Sequence, residues 1–272
     1  MLFDTLKKKA AAFPWKGVVV LAAGILLVGW LLETPAGLLG KADAIGYAVC
    51  HRIDLRSFHI DGQSMPLCAR CSGMYLGAML GLAFLSLTRP RRGGLPGMVP
   101  KIVLGIFVLG FVFDGLNSFL SLVPGAPLAY TPQNWSRLVT GTGMGLAIAA
   151  FLFPAFNQTV WRDWNAWPVL DGWKSMAVLV LLAAGLDVLV LVQNPYILYP
   201  LALISAAGVL VILTMIYSML WLMILHKENR YDKIRQLGFI FLAGFTIALF
   251  QIALFDAIRF GLTGTWDGFH LG

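Results

Sequence analysis

The chain has 272 residues, of which 59% are hydrophobic and only 12% charged, with a formal net charge of +7. Ordinary soluble domains carry roughly 25% charged residues. A soluble domain would need a polar surface that this chain lacks, so the composition points to an integral membrane protein.

In chain order, a basic segment comes first, residues 1–16, with Lys7, Lys8, Lys9 and Lys16. The first apolar run covers about 17–33. It has no small-residue cleavage site and is followed by Glu33-Thr34-Pro35, so it reads as a retained helix rather than a signal peptide. A connection rich in Cys, His and Arg occupies 34–71, and six further apolar runs follow at about 72–88, 102–122, 137–154, 175–192, 199–225 and 236–258. A helix needs roughly 20 residues to cross a hydrocarbon core of about 30 Å. Lipid offers no partner to free backbone groups, so the spans are helices or a closed barrel. Continuous apolar stretches without period-two alternation exclude the barrel. The expected fold is all-α: a polytopic transmembrane bundle of about seven helices, with residues 17–272 forming one transmembrane domain.

Basic residues set the orientation. Alternate connections hold fourteen of the twenty Lys and Arg residues: the N-terminal four, Arg89, Arg91, Arg92, Lys101, Arg162, Lys174, Lys227, Arg230, Lys233 and Arg235. Loops 123–133 and 193–198 hold none. The positive-inside rule then puts the N-terminus in the cytoplasm and the C-terminus outside a cell membrane. The net positive charge is this asymmetry and gives no sign of a nucleic-acid partner. The connection 34–71 falls outside, carrying Lys41, Arg52, Arg56 and Arg70 against the rule. An arginine is expensive to leave idle near a membrane, and these, with Arg137 at the outer edge of the fourth span, are candidates for binding an anion.

Residues 48–77, AVCHRIDLRSFHIDGQSMPLCARCSGMYLG, contain all three cysteines of the chain and two of its four histidines. Cys50-His51-Arg52, Arg56-Ser57-Phe58 and Pro66-Leu67-Cys68-Ala69-Arg70-Cys71-Ser72-Gly73-Met74-Tyr75-Leu76-Gly77 resemble the signature of domain-of-unknown-function family 2085, predicted membrane proteins. The resemblance continues through Asp114-Gly115 and Arg137-Leu138-Val139-Thr140-Gly141 and covers 46–150. Where the family tends toward Thr-Gln after Asp-Gly, this chain has Asn117-Ser118. The resemblance implies no activity, so function rests on the residues.

Ser64-Met65-Pro66 reads as a helix start, with Ser64 as N-cap and proline in the first turn. Cys68 and Cys71 then share one helix face. Three thiolates and one imidazole form a common zinc set, and Cys-x-x-Cys is its usual half. The expected ligands are Cys50, His51, Cys68 and Cys71, with His59 the alternative to His51. If His51 does not ligate, water takes the fourth place. Two rival readings stay open. A Cys-x-x-Cys pair at a helix N-terminus also suits a thiol–disulfide oxidoreductase, and an oxidising outer compartment also suits a plain disulfide.

Gly73, Gly77 and Gly81 in the second span, and Gly141, Gly145 and Ala149 in the fourth, form small-xxx-small ridges that let membrane helices pack closely. Asp114 follows Lys101 by thirteen residues, and Asp187 follows Lys174 by the same interval. That puts both roughly 20 Å from the cytoplasmic edge. Asp114 should share an inward face with Asn117 and Ser118, with Arg70 or Arg137 as its partner, and is the candidate acid or base. Asp256 and Arg259, one turn apart, read as an interfacial pair. The inner halves of the spans are nearly free of ionisable groups, Tyr217 and Ser218 being the main polar exceptions, which argues against a conduit open to both sides. Three readings result: a zinc-capped outward site for an anionic lipid or headgroup, a membrane thiol oxidoreductase, and a transporter or scaffold subunit. The topology is directly testable. Reporter fusions at Gly94 and Asn229 should report cytoplasm and one at Gly125 the outside; a cytoplasmic signal at Gly125 reverses the orientation.

Overall fold

The computed structural model describes residues 15–268. The basic N-terminal segment lies outside them except for its last two residues. Eight α-helices run through the described residues: α1 (Trp15–Glu33), α2 (Gly37–Val49), α3 (Ala69–Thr88), α4 (Met98–Leu120), α5 (Asn134–Val160), α6 (Trp173–Leu191), α7 (Pro195–Ile224) and α8 (Gly238–Thr263). Seven of them are long and apolar enough to cross a membrane. They match the seven apolar runs within a few residues, and the all-α membrane bundle is the fold. The eighth, α2, has 13 residues and is too short to span.

Strands are confined to connections. β1 (His59–Ile60) and β2 (Gln63–Ser64) form a hairpin between α2 and α3. At the opposite end of the bundle β3 (Arg92–Gly94) pairs in parallel with β4 (Asn165–Pro168). There the basic connections are met by aspartates: Arg89 and Arg92 bind Asp171 at 3.2 and 3.3 Å, Arg91 binds Asp163, and Arg162 reaches Asp232 at 3.6 Å.

The bundle is organised around α3 against α5. The small-residue ridges expected from sequence face each other. A Cβ on Gly73 would lie 2.3 Å from the Leu138 carbonyl oxygen, and one on Gly145 would lie 2.1 Å from that of Met74. Gly77 and Gly141 approach equally closely, and a Cβ on Gly81 would meet the Ala149 methyl at 2.6 Å. Lipid gives no hydrophobic drive for helices to associate, so such close packing is what holds them. Around this pair a core of Leu82, Leu85, Leu104, Leu146, Phe153 and Leu179 joins α3, α4, α5 and α6. A second core joins α1, α2, α7 and α8 directly beneath the cysteines, through Trp30, Ile45, Val209, Leu249 and Ile252.

Within the bundle, Thr142 donates to Asp187 Oδ1 at 2.6 Å, tying α5 to α6, and Tyr217 donates to Gln251, tying α7 to α8. The contact between α3 and α5 makes a quantitative prediction. Gly145→Ala should lower stability by about 1–3 kcal/mol through overpacking. Gly105→Ala, where a Cβ meets nothing within 4 Å, should not. Thermal unfolding of the two variants in detergent distinguishes them, and equal melting would reject the α3–α5 contact as drawn.

Candidate metal centre and arginine cluster

The cysteines are brought together by a helix the sequence reading missed. The sequence pattern marks no helix between the first span and Ser64, yet 37–49 fold into α2, which buries Ala42, Ala44, Ile45, Gly46 and Tyr47. Gly46 sits so close to the approach to α3 that a Cβ there would lie 1.9 Å from the Pro66 carbonyl oxygen. The helix ends at Cys50, whose N–H still bonds Gly46 O at 2.8 Å before the chain turns extended. Thus α2 delivers Cys50 beside the segment carrying Cys68.

That segment is positioned by the β1–β2 hairpin, with His59 opposite Ser64 and Ile60 opposite Gln63. Its turn is Asp61-Gly62, with φ of 47° and 85°, the left-handed pair that a two-residue hairpin turn demands. This corrects the expected helix start. Ser64 is a strand residue and its hydroxyl donates to the Asp54 carboxylate. The helix begins at Ala69, with Cys68 in the capping position. Ser64 is held by the hairpin and so is not free to cap.

The three sulfurs of Cys50, Cys68 and Cys71 all lie within 4.8 Å of one another, and none is in a disulfide. Cys50 and Cys68 are buried and Cys71 is partly so. Cys50 is the most readily ionised of those outside the spans. A hydrogen bond from Cys68, and then one from Cys71, hold its pKa well below the ordinary thiol value. The Cys68 N–H also points at Cys50 Sγ at 3.4 Å. Cys68, as donor to that thiolate, is pushed up to about 12. The donor set fits a soft divalent ion: zinc with sulfur at about 2.3 Å in a tetrahedron separates its sulfurs by about 3.8 Å. His51 Nδ1 lies 3.8 Å from Cys50 Sγ. His59 is engaged elsewhere, with Nε2 3.0 Å from Asp54 Oδ1.

The arginines divide. Arg70, in the first turn of α3, binds Asp114 on α4: its Nε donates to Oδ2 at 3.1 Å and its Nη2 to the same oxygen and to the Asp114 carbonyl. Nη2 also donates to Ser118 Oγ at 2.8 Å. Asp114 is 1% exposed, with Asn117 and Ser118 buried on the same face. Its other oxygen accepts from Tyr130 OH and from Ser136 Oγ at 3.2 Å. Arg56 meets Arg70 at Ser118, donating to its carbonyl at 3.1 Å. Burial, and then the Arg70 guanidinium, lower the Arg56 pKa. Arg137 is 6% exposed. Its Nη1 donates to Asn134 at 2.9 Å, while its buried Nε has no partner. The charges of Arg56, Arg70 and Asp114 all act on it. Of these three guanidiniums only Arg70 bonds the carboxylate.

Arg52 stands apart. It pairs with Asp43 at 2.8 Å and donates to Trp266 O. It lines a polar cavity of about 360 Å³ together with Asp43, Asp54 and Asp267. Burial raises the Asp43 pKa against the opposing pull of Arg52. This cavity lies at the cysteine end, but carboxylates dominate its walls.

Sequence reasoning also missed what fastens the cysteine loop. Arg259, on α8, donates to the carbonyls of Tyr47 at 2.6 Å and Cys50 at 2.7 Å, and its guanidinium lies 4.0 Å from the Tyr47 ring centre. Tyr47 OH donates to Thr265 O at 2.7 Å. Asp256, expected beside Arg259, accepts from Trp30 Nε1 at 3.0 Å. Tyr130 was likewise missed. Asn117 places it by donating to its carbonyl at 2.8 Å and accepting from Ala129 N–H at 2.9 Å. Asn117 is thus where the loop docks.

Removing one member of the Arg70–Asp114 pair should cost about 3 kcal/mol, because it leaves a buried charge without its partner. Replacing both with leucine should cost less than either single change. Melting of Asp114→Asn, Arg70→Leu and the double leucine variant tests this; additive losses would show that the two residues act independently.

Comparison with known proteins agrees with the resemblance read from the cysteine signature. Residues 50–151 match the model of domain-of-unknown-function family 2085, described as a predicted membrane protein. An uncharacterised protein of Methanocaldococcus jannaschii is 26% identical over 123 residues, which is 45% of this chain and 72% of the archaeal one. No solved structure matches the chain. The matched segment holds all three cysteines, Arg70, Asp114 and Arg137, while α6, α7 and α8 lie beyond it.

Proposed function

We propose that this multi-pass membrane protein binds zinc through Cys50, Cys68 and Cys71 on the extracytoplasmic side of the cell membrane, and that the metal clamps a loop over an anion-recognising arginine cluster. The observation that carries the metal is the sulfur triad, three thiols within 4.8 Å and none in a disulfide. Thiolate donors in a tetrahedral set select zinc among the common divalent ions. His51, whose ring nitrogen stands beside Cys50, or a water completes the set. The metal would supply folding energy and neutralise the clustered thiolates.

The anion partner is an anionic lipid or its headgroup, and the residues that recognise it are Arg56, Arg70 and Arg137. Two facts support this: three guanidiniums against one carboxylate, and a buried Arg137 Nε with no acceptor. An orphaned donor of this kind costs free energy unless a ligand or water takes it. Guanidinium forks match phosphate oxygens in pairs. Asp114 orients Arg70 and carries any proton exchanged at the site through the Tyr130 hydroxyl. Arg52, bound to Asp43, is not part of this cluster. The side of the membrane rests on the asymmetry of basic residues.

Metal analysis with thiol titration on one purified sample tests the proposal. One zinc per chain should copurify, the three thiols should react only after chelation, and Cys68→Ser should lose the metal. Absence of metal, with a Cys68–Cys71 disulfide and one free thiol, would move the function to thiol–disulfide exchange.

A further inference from the structure

A second cavity lies between α1 and α8, away from the arginine cluster. Its volume is about 620 Å³, within the range of small-ligand sites. Most of its wall is aliphatic or aromatic. The exceptions are Asp256, Glu33 and Thr34, which share it with Trp30, Phe260 and Trp266. Asp256 is 4% exposed. Its Oδ2 accepts the Trp30 indole N–H at 3.0 Å, and its Oδ1 has no hydrogen-bond partner. A carboxylate oxygen without a donor in an apolar wall is an expensive feature to keep unless something binds it.

The wall chemistry selects the ligand. No lysine or arginine lines the cavity among the described residues. Lys41 directs its ammonium to the Leu31 and Thr34 carbonyls and stands 5.9 Å from the Trp30 ring centre, and Arg259 donates to the carbonyls of Tyr47 and Cys50 while its charge also acts on Asp256. Two carboxylates and the rings of Phe260 and Trp266 remain, the two ring centres 5.3 Å apart. Carboxylates beside aromatic faces bind ammonium groups. The aliphatic remainder of the wall, from helices long and apolar enough to cross a membrane, suits a hydrocarbon tail. We infer that this cavity binds an amphiphile with an ammonium head and an apolar tail, its head on Asp256 Oδ1 and its tail between α1 and α8.

This site is independent of the zinc and anion reading, and so is its test. The protein in nonionic detergent is titrated with tetradecylammonium brominated in its tail, a primary ammonium whose N–H groups can donate to Asp256 Oδ1 and whose bromine quenches Trp30 and Trp266 at contact. Saturable quenching is expected in the wild type. Asp256→Asn should weaken it by at least about tenfold, the value of one charge-assisted contact. Gly29→Phe keeps the carboxylate and fills the cavity; a Cβ at Gly29 meets nothing within 4 Å, so this variant should fold and yet lose binding. The sulfate of the same brominated tail should quench wild type and both variants alike, without saturation. Methylammonium, the head alone, should not displace the probe. Equal quenching in wild type and both variants, saturable binding of the sulfate, or displacement by methylammonium at matched concentration would each overturn the inference.

Discussion

Where Gly141 faces the carbonyl of Arg70, a Cβ would come within 2.2 Å of that oxygen, so α3 and α5 touch backbone to backbone at the cysteine end of the bundle. Everything proposed for the site hangs from this contact. It sets Cys68 and Cys71, at the head of α3, level with Ser136 and Arg137, at the head of α5. Because the contact is made of main chain and glycine, it has few side-chain rotamers with which to drift. Asp114 then needs only to arrive on α4 at the right height to reach both helices, and it does, bonding Arg70 on one side and Ser136 on the other.

A carboxylate that is 1% exposed among apolar helices would be unaffordable without full hydrogen bonding. Asp114 has it: both oxygens receive donors, from Arg70, Tyr130 and Ser136. The neighbouring arginines do not. Arg137 leaves a buried nitrogen unmatched, and Arg56 leans on main-chain and hydroxyl oxygens. The imbalance is one of sign as well as number, and it is the physical reason for proposing an anion there. At the far end of the bundle, by contrast, Arg89, Arg91 and Arg92 all have carboxylate partners.

The spans, the glycine ridges and the inward face of Asp114 were legible because each depends on periodicity or composition along one helix. What stayed hidden depends on chain segments meeting. The helix α2 looked like loop because glycine and a few polar residues interrupt its apolar pattern, though it buries Ile45 and Tyr47 beside small residues and is flanked by Pro35 and Cys50. Asp61-Gly62 is a recognisable hairpin turn and could have been read. It would have moved the start of α3 past Ser64. Arg52 and Arg56 differ by four residues, yet one faces Asp43 and the other Ser118. No local pattern separates them, because a left-handed residue at Arg52, with φ of 50°, redirects the chain between them. The role of Arg259 was beyond reach for a similar reason: its partners are carbonyl oxygens more than two hundred residues away, and carbonyls carry no sequence signal.

The segment that matches the family holds the sulfurs, but much of what holds their loop comes from outside it. Arg259 and Thr265 grip Tyr47 and Cys50 from α8 and the chain just after it, and Gly46 is wedged on Pro66. None of these restraints acts on a sulfur. Part of the loop is therefore held by contacts that do not involve a metal. In small zinc modules, ordering the chain consumes much of the binding free energy. Here the chain is ordered by its neighbours, so a metal joining Cys50 to Cys68 and Cys71 has only three side chains to arrange. The cost moves to α8: a change that loosens its grip on Tyr47 and Cys50 would weaken the metal site without touching any ligand.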